Sequence, residues 1–293
     1  MSKTAYINAR LLDPATGLDT SGTLVTDGES IADFGEKVKA PKGAKTIDCQ
    51  GKCLMPGLVD MRVQLREPGE EYKGTLESAG RAATEGGVTT MVCLPNTTPV
   101  IDDISVLEFV ARRARKLGLA KVYPYGAVTK GLAGEELAEM GMLAEAGALA
   151  FTDGIHAISD ARMMSRALSY AANFGLIIVQ HAEEPSLAAG GCMTGGETAT
   201  RLGLSGIPAA AEVIMVERDI RLVELTGGRY HVAHISTADA VDCVRKAKAR
   251  GLRVTCEAAP HHFSLTDHDV GDYRTFAKMA PPLRSDANRA AIV

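Results

Sequence analysis

Two rhythms of hydrophobic and polar positions divide the chain. Over residues 1–53 short runs, "TAYINARLLD", "GTLVTDGESIADFG" and "AKTIDCQGKCL", are separated by turn signals at Asp13-Pro14, Thr16-Gly17 and Asp27-Gly28. Residues two apart share a strand face, so the pattern predicts a small β layer that needs something to pack against. Over residues 54–293 apolar runs alternate instead with helical patterns. The runs are "LMPGLVDM", "VTTMVCLP", "KVYPYGAV", "GALAFTD", "LIIVQHA", "YHVAHIS" and "RVTCEAAP". Strands this uniformly apolar belong in a parallel sheet covered on both faces.

Three of the intervening helices have readable ends. Asp103 is placed to cap a helix whose apolar face runs Ile104, Leu107, Val110, Ala111, Ala114, Leu117, with Gly118 just beyond it. Asp160 begins a second, through Met163, Met164, Ala167, Leu168 and Ala171 towards Gly175; Thr237 begins a third, through Val241, Val244 and Ala247 towards Gly251. A short polar residue before the periodic run and a glycine after it satisfy the free amides and carbonyls of helix ends.

Polar residues gather at the carboxyl end of nearly every run: Arg62 and Gln64, Asn96, Thr152 and Asp153, His181, His234, His261 and His262. That is where a (β/α)₈ TIM-type barrel assembles its site, and this architecture fits better than a doubly wound sheet. No glycine-rich phosphate loop follows a strand. The eighth barrel strand is absent from the pattern, which ends in "SDANRAAIV". The expectation is a fragment, or a natural truncation, of a longer pattern.

Composition narrows the function classes. Lys and Arg number 32 against 36 Asp and Glu, a net charge of −4, so no basic surface points to nucleic acid. The apolar runs are too short for a membrane span and "MSKTAYINARLLD" has no signal-peptide core, so a cytoplasmic protein is expected. The six cysteines form no CxxC pair; Cys49 and Cys53 could share a zinc, but buried free thiols are the preferred reading.

The chemistry turns on the first barrel strand. Arg62, Gln64 and Arg66 share one face, and neither a guanidinium nor an amide replaces an imidazole as a zinc ligand. His181 and His234 read either as metal ligands or as strand-end histidines bonded within the fold. His231 alternates with His234 and is expected outside the barrel. Asp153 reads as a turn residue or a bridging ligand, His261 and His262 as loop structure, and Asn96 as a turn or binding amide.

The segments "PGLVDMRVQLREPG", "EGGVTTMVCLPNTTP", "AFTD", "QHAEE", "RYHVAHIST", "VTCEAAPHHFSLTD" and "KMAPPLR" together resemble type I dihydroorotase of the amidohydrolase superfamily. The resemblance implies a small β-sandwich part at 1–53, with its C-terminal complement missing, and a barrel over 54–293. It implies zinc-assisted closure of carbamoyl aspartate and its reverse. The family's ligand positions fall on Asp153, His181 and His234, but its His-x-His pair is replaced by Arg62 and Gln64. Arg66 and Asn96 match positions that hold the substrate carboxylate, while a further substrate-contacting asparagine is Ala280 here.

These departures resemble the non-catalytic homologues that accompany aspartate transcarbamoylase. The expectations are therefore an inactive, cofactor-free structural partner of that enzyme, and a homo-oligomer, since such barrels commonly pair. Arg62 is expected to pair with Asp153 in place of the cation. The alternative is an active dihydroorotase or related cyclic-amide hydrolase with a single zinc.

Overall fold

A computed structural model describes residues 3–293. It divides into two compact units, Met1–Val59 and Asp60–Val293. The division falls within the first barrel strand rather than at residue 53.

In the first unit β1 (Lys3–Asp13) is the centre of a five-stranded sheet. It pairs antiparallel with β2 (Leu18–Asp27), which pairs antiparallel with β3 (Ser30–Gly35). The short β4 (Lys45–Asp48) and β5 (Cys53–Leu54) run parallel to β1 on its other side. Ala5, Ala9, Leu11, Thr23 and Val25 are its buried residues among those described, so alternation produces one covered face.

The second unit is a barrel-type arrangement of parallel staves and outer helices. In chain order its strands are β6 (Leu58–Val63), β7 (Val88–Cys93), β8 (Lys121–Pro124), β9 (Ile177–His181), β10 (Met193–Thr194), β11 (Gly206–Ile207), β12 (Arg229–Ala233) and β13 (Val254–Cys256). Strands β6, β7 and β8 are neighbours, as are β9, β12 and β13; β10 and β11 form a separate ladder.

The fourth predicted strand, "GALAFTD", is reduced to Phe151. This residue bridges Gly126 on one side and Ile178 on the other, joining the two three-stranded sheets into one succession of staves. A Cβ on Gly126 would lie 2.6 Å from a Phe151 ring carbon, so the close approach needs glycine.

Met91 and Cys93 join the large core under the helices, whereas Val92 joins Leu94, Tyr125, Ala150, Val179 and Ala233 inside the barrel. The three predicted helices occupy Ile104–Leu117, Ala161–Asn173 and Ala238–Ala249. Their N-caps are Asp103, Asp160 and Thr237, each accepting a backbone N–H in the first turn.

All six cysteines are free, but the expectation that they are buried holds for Cys93 and fails for Cys53 and Cys256, which are exposed. Cys256 lies on β13, which among the described residues has a strand neighbour on one side only. Among the described residues no helix is long and apolar enough to cross a membrane.

Candidate functional site

The carboxyl ends of the staves bring Arg62, Gln64, Asp153, His181, His234 and Glu257 towards one mouth. Arg62 projects from β6 and donates from Nη2 to the Gly154 carbonyl at 2.9 Å, while its buried Nη1 has no partner among the described residues. Burial lowers its pKa, opposed by the charges of Glu257 and Tyr125. Tyr125, inside the barrel, has its phenol pushed up to about 12, by burial first and then by Glu257. Gln64 accepts at Oε1 from Asn96 Nδ2 at 3.2 Å. Arg66 has φ 65° and turns its guanidinium to Glu70, 2.8 Å away.

Asp153 does not face Arg62, and the expected ion pair is corrected. Its Oδ1 accepts the amides of Val128 at 3.0 Å and Thr129 at 2.9 Å, and its Oδ2 accepts the Thr129 hydroxyl at 2.5 Å. The loop after β8 would otherwise leave those amides unpaired, a cost the carboxylate removes. Burial raises the Asp153 pKa and these hydrogen bonds oppose it. Gly154, at φ 69°, turns its carbonyl to Arg62 instead.

His181 ends β9, and His234 follows β12 at φ 38°, a left-handed conformation unusual for a side chain with a Cβ. His181 Nδ1 and His234 Nε2 are 3.1 Å apart, with rings edge to face; His234 Nδ1 is buried and unpartnered. Glu183 Oε2 lies 3.7 Å from His181 Nε2. Burial holds the His234 pKa well below the usual range, and the charges of Arg62, His181 and His262 add to this.

His231 lies inside the barrel, not outside it. It alternates with Tyr230 and Val232, which enter the helix-covered core, and pairs in register with Val179 and Thr255. Its Nε2 contacts Glu257 Oε2 and its Nδ1 lies 2.8 Å from Thr255 Oγ1. The His234 amide donates to Glu257 Oε1 at 2.8 Å. The simple alternation failed because the chain leaves extended geometry at His234.

A scan against family models matches residues 51–240 to the family described as dihydro-orotase-like. The chain belongs to the dihydroorotase-like family. It is 48% identical over 285 residues to a dihydroorotase of Pelobacter propionicus, covering 97% of this chain and 67% of that one. It is 50% identical over 288 residues to a dihydroorotase of Anaeromyxobacter sp. (strain K), covering 97% and 66%. The L-hydantoinase (dihydropyrimidinase) from Arthrobacter aurescens shares the fold, with TM-score 0.83 at 24% identity over 99% of this chain and 66% of that one. The dihydroorotase-like chain thus spans about two thirds of the length of these relatives.

The residues of this dihydroorotase-like mouth do not fit the zinc pair that the resemblance implies. Arg62 and Gln64 stand at the His-x-His positions, Asp153 is committed to Val128 and Thr129, and the two remaining imidazoles contact each other. Among the described residues no group of three or more His, Cys, Asp or Glu is placed to hold a metal ion.

Two groups, one half-buried and one buried, escaped the sequence reading. Glu257 is one, signalled only by an acid directly after the apolar "VTC". The other is Glu212 with Arg284: Glu212 accepts the Ser236 and Thr237 amides and both hydroxyls. Arg284 donates to Ser236 Oγ, to Thr194 Oγ1 and to the Ile207 carbonyl, tying β10, β11 and the chain after β12 together. His262, in a short helix, bonds the Pro281 carbonyl at 3.0 Å; burial brings its pKa down to about 4.

Proposed function

We propose that this chain is a dihydroorotase-like protein of pyrimidine biosynthesis that does not turn over the ring-closing reaction and acts as a structural partner of aspartate transcarbamoylase. The observation that supports the reading is Arg62, a guanidinium at a family ligand position, hydrogen-bonded to a neutral carbonyl. A cation there repels a divalent ion and offers no lone pair to it. Arg66 and Asn96 then stand as vestigial substrate positions, with Asp153, His181 and His234 as ligand positions that hold no zinc.

The test is direct. Protein incubated with excess zinc and passed through a desalting column is expected to retain less than about 0.1 equivalent and to show no dihydroorotate hydrolysis. Retained stoichiometric zinc with chelator-sensitive turnover would reject the inactive reading. A stable complex with aspartate transcarbamoylase is expected in analytical ultracentrifugation; two independently sedimenting species would reject the partner reading.

A second reading, a cyclic-amide hydrolase with a reduced single-metal site, is favoured by the buried His181–His234 pair, whose ring nitrogens lie 3.1 Å apart. The same zinc-supplemented assay separates the two.

A further inference from the structure

Two arginines stand side by side at the amino end of the barrel, opposite the mouth. Arg229 on β12 is level with Ile177 on β9, and Tyr230 is level with Val254 on β13, so Arg253 falls beside Arg229. Side chains two apart share a strand face. Arg229 therefore lies below His231, and Arg253 below Thr255, whose Oγ1 is 2.8 Å from His231 Nδ1. Ile177 packs against the cluster inside the barrel, so one layer of the inner face reads Ile177, Arg229, Arg253.

The same construction aims both guanidiniums. Arg229 Nη1 donates at 2.8 Å to the Gly175 carbonyl ahead of β9, and Arg253 Nη2 donates to the Gly227 carbonyl ahead of β12. A guanidinium carries five N–H donors, so this bond leaves most of them free to turn elsewhere. Neighbouring strands lie about 4.8 Å apart, and like charges level with each other repel. The carbonyls follow the helices Ala161–Asn173 and Ala210–Thr226. A helix carboxyl end supplies about half a negative charge, which offsets only part of a full cation. An anion held between the two arginines would remove the remainder.

A cavity of about 370 Å³ opens at this layer, lined in part by Ile177, Arg229, Lys248, Leu252, Arg253 and Thr255. Lys248 lies in the last turn of the helix Ala238–Ala249. All three cations are exposed, so a solute reaches them from solvent.

We propose that this cavity binds a diphosphate group, clamped between Arg229 and Arg253 with Lys248 as the third cation. The class follows from charge and shape. The two tetrahedral phosphoryl groups of a diphosphate offer acceptors to both guanidiniums at once, and its several negative charges match three cations. A planar carboxylate occupies one guanidinium and leaves its neighbour unrelieved. Ile177 and Leu252 give the cavity apolar surface for an organic part of the ligand. The site does not depend on what the mouth holds, since its cations lie at the opposite end of the staves.

The experiment is calorimetric titration of the metal-free 293-residue chain with pyrophosphate, adenosine diphosphate and malonate at one ionic strength. Saturable pyrophosphate binding is expected, with malonate at least about tenfold weaker. Arg229→Met and Arg253→Met should each weaken pyrophosphate by about tenfold or more, and Lys248→Met several-fold. Arg250, paired with Glu224 at 3.2 Å, lies outside the lining; Arg250→Met should stay within about threefold of the parent, which separates a site from general surface charge. Adenosine diphosphate binding at least as tightly as pyrophosphate supports an organic diphosphate as the ligand. Weaker binding through the same residues supports the free anion.

No saturable heat up to about 10 mM pyrophosphate would reduce the two arginines to supports for the chain ahead of β9 and β12, and overturn the proposal. Malonate binding as tightly as pyrophosphate, unchanged affinity in either arginine variant, or an equal loss in Arg250→Met would do the same. If the arginine variants do not fold, Lys248→Met at its exposed helix position decides, and unchanged affinity there counts against the site.

Discussion

Replacing Arg62 by methionine should stabilise the protein, whereas the same change at Arg284 should damage it. Both guanidiniums are withdrawn from water, and burial lowers the pKa of each. Arg284 donates to Ser236, Thr194 and the Ile207 carbonyl and stands near the Glu212 and Glu183 charges. Arg62 has the Gly154 carbonyl and the Glu257 charge alone, and among the described residues each guanidinium leaves one nitrogen without a partner, Nη1 of Arg62 and Nη2 of Arg284.

Desolvating an ion costs several kcal/mol, about 4 for this estimate, and a hydrogen bond from a charged donor returns about 1.5–3. Methionine at 62 is roughly isosteric with the stem and keeps the apolar contacts; the difference of about 1–2.5 kcal/mol, reduced by the lost Glu257 attraction, leaves a net gain of about 1–2 kcal/mol. At about 2–4 °C per kcal/mol that is a melting temperature higher by about 2–8 °C. Arg284→Met leaves Glu212 without its cation and should cost about 3–5 kcal/mol. Differential scanning calorimetry at pH 7 measures both. A melting temperature lowered by more than about 2 °C in Arg62→Met would show that the guanidinium is well compensated, and the electrostatic reasoning about the mouth would fall with it.

Gly126→Ala should cost about 1–3 kcal/mol in urea unfolding, because its Cβ would lie 2.6 Å from the Phe151 ring; an unchanged midpoint would show that the ring yields freely. Asp153→Ala should cost about 2–4 kcal/mol and loosen the loop at Val128 and Thr129, read as faster amide exchange there, while Asp153→Asn should cost less since its carbonyl still accepts. Exchange unaltered in Asp153→Ala would refute the loop-anchoring role. Asp219 is fully buried beside Arg218 and Tyr230, and burial raises its pKa to about 6 from 3.8. The folded state therefore holds a proton that the unfolded state releases, so this contribution is complete below about pH 4 and disappears as pH rises through 6. The gap of about two pH units corresponds to roughly 3 kcal/mol. Asp219→Asn should remove that slope from stability measured between pH 4 and 7, and an identical slope in the variant would refute the assignment.

The barrel was legible because its signals are local. Asp103, Asp160 and Thr237 each cap the helix that their position announced, and the apolar runs mark staves of one parallel succession. The run "GALAFTD" was harder to read, since a stave that pairs through Phe151 depends on Gly126 admitting its ring. The expected boundary at residue 53, which falls within β5, differs from the division by contacts for a similar reason. Contacts, not the change of rhythm, assign residues 54–59 to the first unit.

The mouth was less legible because its partners are chosen by backbone geometry that residue types do not encode. Arg62 and Asp153 are opposite charges at the carboxyl ends of staves separated by β7 and β8, and residue type alone recommends their pairing. The left-handed turn at Gly154 offers Arg62 a carbonyl, and the amides of Val128 and Thr129 claim the carboxylate first. His231 shows the same effect. Alternation from His234 sends it outward, but His234 itself has left the strand, so alternation counted from Tyr230 and Val232 sends it inward to Glu257. The consequence is chemical. Glu257, whose charge reaches Arg62, spends its hydrogen bonds on His231 and the His234 amide, so the guanidinium at the head of the first stave rests on the Gly154 carbonyl.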